Sequence, residues 1–308
     1  MTEELKIFNP RKNPNYHILA IFTLVLGIGL DYFIFRERTM TFAYIPLMMM
    51  VGILSRNFMP ILILTGLATV SLQFNSPAEW GVELFFLRWM SYFLVAFIIN
   101  TSLKNYQKEQ ESLHNLTFAL AGSIDARDKY TSFHSQNVAY YSREIGKAMN
   151  LSRKDCRNLY VGGLLHDIGK IGVPEAVLNK PSRLTDEEFE LVKQHPQCGY
   201  DLLKYTSSFK RNTILDMVLY HHEKFDGTGY PNCLKGKDIP LVARIMAVAD
   251  AFDAMTSRRV YRNKKELDYA LSEISKGKQS QFDPEIADVF LQLIHNKNII
   301  VRGFMQEN

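Results

Sequence analysis

Apolar residues are concentrated in the first third of the chain, in four runs that contain very few charged side chains. The runs cover residues 16–35, 40–54, 58–74 and 82–99. A membrane-spanning helix needs about 20 mostly apolar residues, within a range of about 17–25. The first run has that length, the second is shorter and contains Pro46, and the fourth carries Glu83 and Arg88 near one end. The pattern predicts a transmembrane region over residues 1–102 with four spanning helices; a re-entrant or interfacial hairpin is the alternative for the second and third runs.

Basic residues around these runs predict the orientation of the helices, because short cytoplasmic loops carry an excess of lysine and arginine. If both termini are cytoplasmic, Arg36 and Arg38 face outward and six basic residues face inward. The inward residues are Lys6, Arg11, Lys12, Arg56, Lys104 and Lys108. The pattern therefore favours a multi-pass protein in a lipid bilayer, with the C-terminal part in the cytoplasm.

After the last apolar run, the pattern becomes that of a soluble helical domain. Residues 103–117 are predicted to form a polar helix with a partial apolar stripe, which is typical either of a helix that pairs in a homodimer or of a plain linker. Over residues 118–308, glycine and proline separate helix-length segments, and no sustained alternation indicates a sheet. The chain is therefore predicted to be all-α. The predicted helices span residues 115–128, 132–149, 153–168, 174–179, 185–206, 211–222, 240–256, 263–275 and 283–296.

Charge and cysteine content exclude some functional classes. The net charge is +4, from 36 basic and 32 acidic residues, which is too small an excess to indicate binding to a nucleic acid polymer. The three cysteines, Cys156, Cys198 and Cys233, are odd in number and have no C-x-x-C spacing. We therefore expect no disulfide and a reducing compartment, with these thiols as small buried side chains rather than ligands.

Candidate metal ligands are spread through the soluble part. They are His134, His166, Asp167, His195, His221, His222 and Asp250. Each alone could be a solvated or hydrogen-bonded side chain, but Asp167 and Asp250 lie within apolar sequence. A buried carboxylate without a partner is costly, and a metal ion removes that conflict. Imidazoles and carboxylates suit manganese, iron or zinc, and seven ligands exceed the needs of one ion. Two ions that share a bridging carboxylate would use them.

Three motifs resemble the signatures of the HD-GYP family, a branch of the HD phosphohydrolase superfamily. They are HDIGK (166–170), HHEKFDGTGYP (221–231) and ADAFDAMTSRRVYR (249–262). The resemblance covers nearly all of the soluble part and implies an all-helical HD-GYP domain over residues 118–308 that holds two or three metal ions. The chain departs from the family pattern at Arg258 and Val260. A third-metal glutamate is replaced by Tyr130, which favours a two-metal site.

The resemblance also implies roles for individual residues. Asp167 would bridge the metals, and Lys170 would face the scissile phosphate. Arg259 and Arg262 would hold the other phosphate oxygens, although a solvated basic loop or a helix cap is the alternative. The GYP residues would contact the substrate or a partner such as a diguanylate cyclase, or would form only a structural turn; they are Gly229, Tyr230 and Pro231.

The resemblance implies a phosphodiesterase that hydrolyses cyclic di-GMP to linear pGpG, to GMP or to both, and the apolar runs predict that it is anchored in the bacterial inner membrane. The resemblance implies attack by a hydroxide activated by two divalent transition metals, iron or manganese. One alternative is an HD hydrolase of another nucleotide. Another is a catalytically silent receptor for a cyclic dinucleotide. The presence of all seven ligand residues and of Lys170 argues against this alternative.

Overall fold

The structure, a computed structural model, consists of helices joined by turns in the residues that it describes. These are residues 18, 21–22, 25–27, 29, 44–55, 57–75, 81–127, 133–206, 209, 213–257, 264–299 and 301. Within them there is no β-strand, only an isolated bridge between Lys278 and Phe282. The predicted all-α class is therefore confirmed for the described residues. The chain divides into two compact units, Met1–Leu113 and His114–Asn308.

Helices of the first unit are α1 (Tyr44–Leu54), α2 (Phe58–Asn75) and the first part of α3 (Val82–Arg127). Gly52 of α1 lies against the backbone of Ala96 in α3, so a Cβ at residue 52 would collide with it. Beside this contact, the buried Asn100 side chain donates hydrogen bonds to the carbonyls of Gly52 at 3.0 Å and Ser55 at 2.5 Å. The last carbonyls of a helix have no donor within it, so Asn100 satisfies groups that would be costly to bury.

Among the described helices, α3 is the one long and apolar enough to cross a membrane. The helices α1 and α2 are also apolar but shorter, with 11 and 18 residues. The first predicted span, residues 16–35, lies largely outside the described residues. The segment 103–117 is not a separate element, because α3 continues through it without a break.

The second unit contains the end of α3 and nine further described α-helices. Two 3₁₀ helices, Ile168–Gly172 and Gly236–Asp238, interrupt this series. In chain order the α-helices are α4 (His134–Ala148), α5 (Arg153–Leu165), α6 (Glu175–Leu178), α7 (Asp186–Lys193), α8 (His195–Leu203), α9 (Ile214–Tyr220), α10 (Leu241–Ser257), α11 (Lys264–Lys276) and α12 (Pro284–His295).

Three aromatic rings mark the centre of the second unit, one from each of α4, α10 and α12. The Phe252 ring lies 5.3 Å from that of Tyr141 and 4.8 Å from that of Phe290, both in edge-on arrangements, and all three side chains are fully buried. Each such pair contributes about 0.5–1.5 kcal/mol of stability beyond the contribution from the burial of its rings. Close to them, Gly163 of α5 touches the backbone of Ala139 in α4, where a Cβ would not fit. Small residues thus bring α4 and α5 close together, and both helices carry candidate ligands at their ends.

Two predicted helices end differently in the structure. The helix predicted over 185–206 is wrong as a single element: it is divided into α7 and α8, because Pro196 has no N–H to give to the carbonyl of Val192. That carbonyl accepts the Nδ1–H of His195 at 2.7 Å. The helix predicted over 153–168 ends at Leu165, and the chain continues as the 3₁₀ helix Ile168–Gly172.

Candidate metal centre

All seven predicted ligand residues meet at one place in the second unit. They form two groups, and within each group the candidate ligand atoms lie within 4.8 Å of one another. The first group is Asp167, His195, His221 and His222, and the second is His134, His166 and Asp250. Six of the side chains come from the starts of helices or from the turns directly after them, and Asp250 lies within α10, so residues up to 116 positions apart in sequence are neighbours here.

Asp167 lies between the two groups. Its Oδ1 is 3.2 Å from His195 Nε2 in the first group, and its Oδ2 is 3.3 Å from His166 Nε2 and 3.7 Å from His134 Nε2 in the second. One carboxylate therefore presents one oxygen to each group. This is the arrangement that a bridging carboxylate between two ions requires, and the sequence motif alone could not establish it.

The backbone fixes the orientation of three histidine rings. Each donates its Nδ1–H to the carbonyl three residues earlier: His166 to Gly163 at 2.8 Å, His195 to Val192 at 2.7 Å and His221 to Val218 at 2.9 Å. Because a carbonyl can only accept, Nδ1 carries the proton, and in the neutral ring Nε2 has a free lone pair. The three Nε2 atoms point toward the shared centre, as is usual for metal-binding histidines.

His134 is oriented by a carboxylate instead. Its Nδ1 donates to Asp253 Oδ2 at 2.8 Å, and Asn137 donates from Nδ2 to Asp253 Oδ1 at 2.9 Å. The other ring nitrogen of His134 lies 3.2 Å from Asp250 Oδ1. Burial opposes a charged ring, but the hydrogen bonds with Asp250 and Asp253 raise the pKa of His134 well above its ordinary value.

The donor atoms fit a bound cation. His166 Nε2 is buried and makes no hydrogen bond to any described residue. His195 Nε2 and His221 Nε2 are 3.2 Å apart, so two lone pairs face each other unless a proton or a metal ion lies between them. Burial and the neighbouring imidazoles hold the pKa of His221 well below its ordinary value, and burial lowers that of His222 to about 4. A metal ion is therefore the better partner for these neutral rings near pH 7.

The two carboxylates are held in their charged form despite burial. The Lys170 ammonium keeps the pKa of Asp167 well below its usual range. The His134 ring does the same for Asp250. Lys170 is 2.7 Å from Asp167 Oδ2 and lies in the 3₁₀ helix Ile168–Gly172, so a fixed cation adjoins the carboxylate shared by the two groups.

The loop that follows His222 folds back onto that ring. The Tyr230 ring lies 4.8 Å from the His222 ring, and the Tyr230 N–H donates to the His222 carbonyl at 3.2 Å. Gly229 touches the backbone of Glu223, so no side chain fits there. The peptide bond between Tyr230 and Pro231 is cis. Burial raises the pKa of the Tyr230 hydroxyl far above its ordinary value, so the ring stays neutral as it covers the ligand.

Three supporting residues were missed by sequence reasoning. Asp253 and Asn137 orient His134, and the buried Glu223 accepts the N–H groups of Asn232 at 2.7 Å and Leu234 at 3.1 Å. Asp253 lies three residues after Asp250 on α10, so helical spacing could have suggested that both face the same neighbour. The predicted phosphate-binding residues and the tyrosine at the third-metal position lie outside the described residues; they are Arg259, Arg262 and Tyr130.

The chain is similar in sequence to a known family and to several proteins of named activity. The family described as HD domain matches residues 119–286. The chain is 42% identical over 167 residues to a cyclic di-GMP phosphodiesterase of Thermotoga maritima, covering 54% of this chain and 45% of that protein. It is 37% identical over 186 residues to the cyclic di-GMP phosphodiesterase response regulator RpfG of Xanthomonas campestris, covering 60% and 48%.

A third relative carries a different name. It is the 3'3'-cGAMP-specific phosphodiesterase 2 of Vibrio cholerae, to which the chain is 31% identical over 183 residues, covering 59% of this chain and 35% of that protein. The chain thus spans less than half of the length of each of these three relatives.

Proposed function

We propose that this chain, which belongs to the HD domain family and to the HD-GYP branch within it, is a metal-dependent phosphodiesterase that hydrolyses cyclic di-GMP. The observation that carries the proposal is Asp167, whose two oxygens face two groups of ligand-type side chains while Lys170 contacts one of them. The names of two relatives support cyclic di-GMP as the substrate. Because the chain spans less than half of those relatives, the activity of the whole protein is part of the proposal.

Two divalent ions, iron or manganese, would be held by the two groups, with Asp167 shared between them. When bound, such ions act as Lewis acids and lower the pKa of a water molecule toward neutrality. The orphaned Nε2 of His166 and the facing lone pairs of His195 and His221 support this assignment. The supporting contacts of Asp253 and of three backbone carbonyls would keep the ligand atoms aimed at the centre.

Residues of the chain would bind and orient the substrate. The Lys170 ammonium, 2.7 Å from Asp167, is near enough to the centre to neutralise a phosphate oxygen as charge develops there. The GYP residues Gly229, Tyr230 and Pro231 would form one rim of the cleft. Arg259 and Arg262 would hold the second phosphodiester of a cyclic dinucleotide, because only one of the two can lie at the centre at a time. The products would be linear pGpG, GMP or both.

One of the two alternatives has an observation in its favour. The relative named as specific for 3'3'-cGAMP favours a different cyclic dinucleotide as substrate. A silent receptor would bind the dinucleotide without cleaving it, but the seven ligand-type residues are close together and Lys170 contacts the shared carboxylate. These contacts favour an enzyme over a receptor.

The protein is further proposed to be attached to a membrane and to bind protein partners. The apolar helix α3 gives limited support to attachment to the lipid bilayer of the bacterial inner membrane; further spans and a cytoplasmic catalytic domain follow from the hydrophobic pattern and the basic residues. A homodimer through the segment 103–117 is supported by a stripe of exposed apolar side chains along α3. A diguanylate cyclase is the partner proposed for the GYP loop.

The experiment uses the full chain, purified anaerobically in detergent and supplied with ferrous or manganous ions. We expect cyclic di-GMP to be converted to linear product, detected by chromatography, and the Asp167→Asn variant to be inactive. Binding without any product would favour the receptor. Faster turnover of 3'3'-cGAMP than of cyclic di-GMP would favour the second substrate.

A further inference from the structure

The last turn of α3 contacts the segment that carries Lys170. The Arg127 guanidinium donates hydrogen bonds from Nη1 to the carbonyls of Ile171 at 3.1 Å and Lys170 at 3.3 Å, and from Nη2 to the carbonyl of Val173 at 3.2 Å. The carbonyl of Arg127 accepts the side-chain amide of Asn179 at 2.9 Å. One side chain thus binds three carbonyls within a stretch of four residues.

The carbonyl of Lys170 already accepts the N–H of Val173 at 3.0 Å, and Arg127 adds a second donor to it as well as donors to the carbonyls of Ile171 and Val173. A 3₁₀ helix has poorer hydrogen-bond geometry than an α-helix, and the one at Ile168–Gly172 is only five residues long. The carbonyls at the end of a helix have no donor within it. A guanidinium presents several N–H groups in a planar fork, whereas a lysine ammonium is a single point charge. Arg127 is therefore suited to hold this short helix in one conformation.

The same 3₁₀ helix is also fixed by close packing. Gly169 lies against the backbone of His195 and Gly199 in α8, where a Cβ would collide. The backbone that carries Lys170 is thus held both by its packing against α8 and by the hydrogen bonds from Arg127. This leaves the Lys170 side chain to be directed toward Asp167, which it reaches at 2.7 Å.

The same turn of α3 also contacts the start of α4. Asp125, which is buried, accepts hydrogen bonds from the backbone N–H of Ser135 at 3.2 Å and from its hydroxyl at 2.7 Å. Ser135 follows the ligand-type residue His134. A single helical turn therefore supports the segments on both sides of the candidate metal centre.

We propose that Arg127 is a positioning residue for Lys170: it holds the 3₁₀ helix so that the ammonium faces the reacting phosphate. This inference rests on the proposed function. Arg127 touches neither the ligand atoms nor the shared centre in any described contact, so it acts on catalysis through the backbone of residues 170–173 and not through the metal ions.

The test is a double-mutant cycle in the full chain. Arg127→Gln should lower kcat about tenfold, which corresponds to about 1.4 kcal/mol of barrier, with little change in KM and with the metal content retained. In a Lys170→Ala background, measured by single turnover with excess enzyme, the same substitution should cost less than twofold. Arg127→Lys should behave like Arg127→Gln, because it restores the charge but not the fork.

Hydrogen exchange gives a readout that does not depend on activity. Peptides covering residues 168–173 should exchange faster in Arg127→Gln than in the wild type. The control is Arg143→Gln, which removes an arginine that pairs with Glu144 on α4; its kcat and its exchange over residues 168–173 should match the wild type. If one Arg127 variant fails to fold, the other carries the cycle.

Three results would overturn the proposal: equal losses of kcat in both backgrounds, wild-type kcat in Arg127→Gln, or loss of metal from that variant. Bis(p-nitrophenyl) phosphate, a simple phosphodiester, serves as a second substrate. If the wild type cleaves it but not cyclic di-GMP, the proposed substrate is wrong and the cycle still tests Arg127. If it cleaves neither, both proposals fail.

Discussion

Substitution of Asp253 should weaken the binding of one metal ion without changing any residue that binds it directly. Its side chain is almost completely buried, and its two oxygens accept from His134 at 2.8 Å and from Asn137 at 2.9 Å. Asp253→Asn keeps the shape and can still accept from His134, but it removes the negative charge that makes the imidazole a stronger donor to a metal. Replacing such a supporting partner typically costs about 10- to 100-fold in metal affinity, or about 1.4–2.7 kcal/mol.

The loss should fall on one ion of the two. His134 belongs to the group with His166 and Asp250, while no described contact joins Asp253 to the other group. Titration of metal-free protein with manganous ions in a calorimeter should therefore resolve one unchanged and one weakened site. The matched control is Asp283→Asn, which makes the same change at a buried carboxylate that pairs with Arg244 at the start of α12. It should lower the unfolding temperature and leave both metal affinities unchanged. Equal weakening of both ions by Asp253→Asn, or none, would refute the reasoning.

Three further predictions concern the centre itself. Asp167→Ala should lose most of both ions, because its two oxygens face both groups; metal analysis of anaerobically purified protein that found a full complement would contradict the bridge. Lys170→Ala should reduce turnover and keep the metal, because an ammonium is a donor and not a ligand; wild-type turnover would remove it from the mechanism. Arg259→Ala and Arg262→Ala should each weaken binding of cyclic di-GMP by about 1.5–3 kcal/mol and make it less salt-sensitive. Calorimetric titration in a Lys170→Ala background would test this, and unchanged affinity in both variants would mean that the second phosphate is held elsewhere.

The sequence predicted the seven ligand-type residues that the structure brings together, but not the residues that orient them. Asp167 and Asp250 are acids within apolar runs, and this conflict between charge and burial is visible without a structure. The residues that orient the ligands leave a weaker trace, which for Asp253 is its three-residue spacing from Asp250. Asp253 meets His134 over 119 positions and Arg127 meets Lys170 over 43, and each is an ordinary polar residue on a helix surface until the fold brings it to its partner.

Helix boundaries likewise divide into those that local sequence signals predict and those that depend on the rest of the fold. The capping box at Thr185 and the N-cap at Asp283 are local signals, and the helices begin there as predicted. The continuity of α3 from Val82 to Arg127 is not a local property, because the segment near residue 103 has the composition of a linker as much as that of a helix. In the first unit, the close approach of Gly52 to Ala96 depends on packing between helices and could not be read from either one alone.

The break between α7 and α8 connects helix formation to ligand chemistry. In an unbroken helix, the N–H of residue 196 would bind the carbonyl of Val192, the same atom that accepts the Nδ1–H of His195. Pro196 cannot make that bond, so the helix breaks here; the carbonyl accepts a backbone N–H of the helix cap and also the imidazole N–H, which leaves the Nε2 lone pair of His195 for the centre. A substitution at Pro196 that restored the N–H would allow α7 and α8 to join into one helix, and the same change would shift the backbone that carries the ligand-type residue His195.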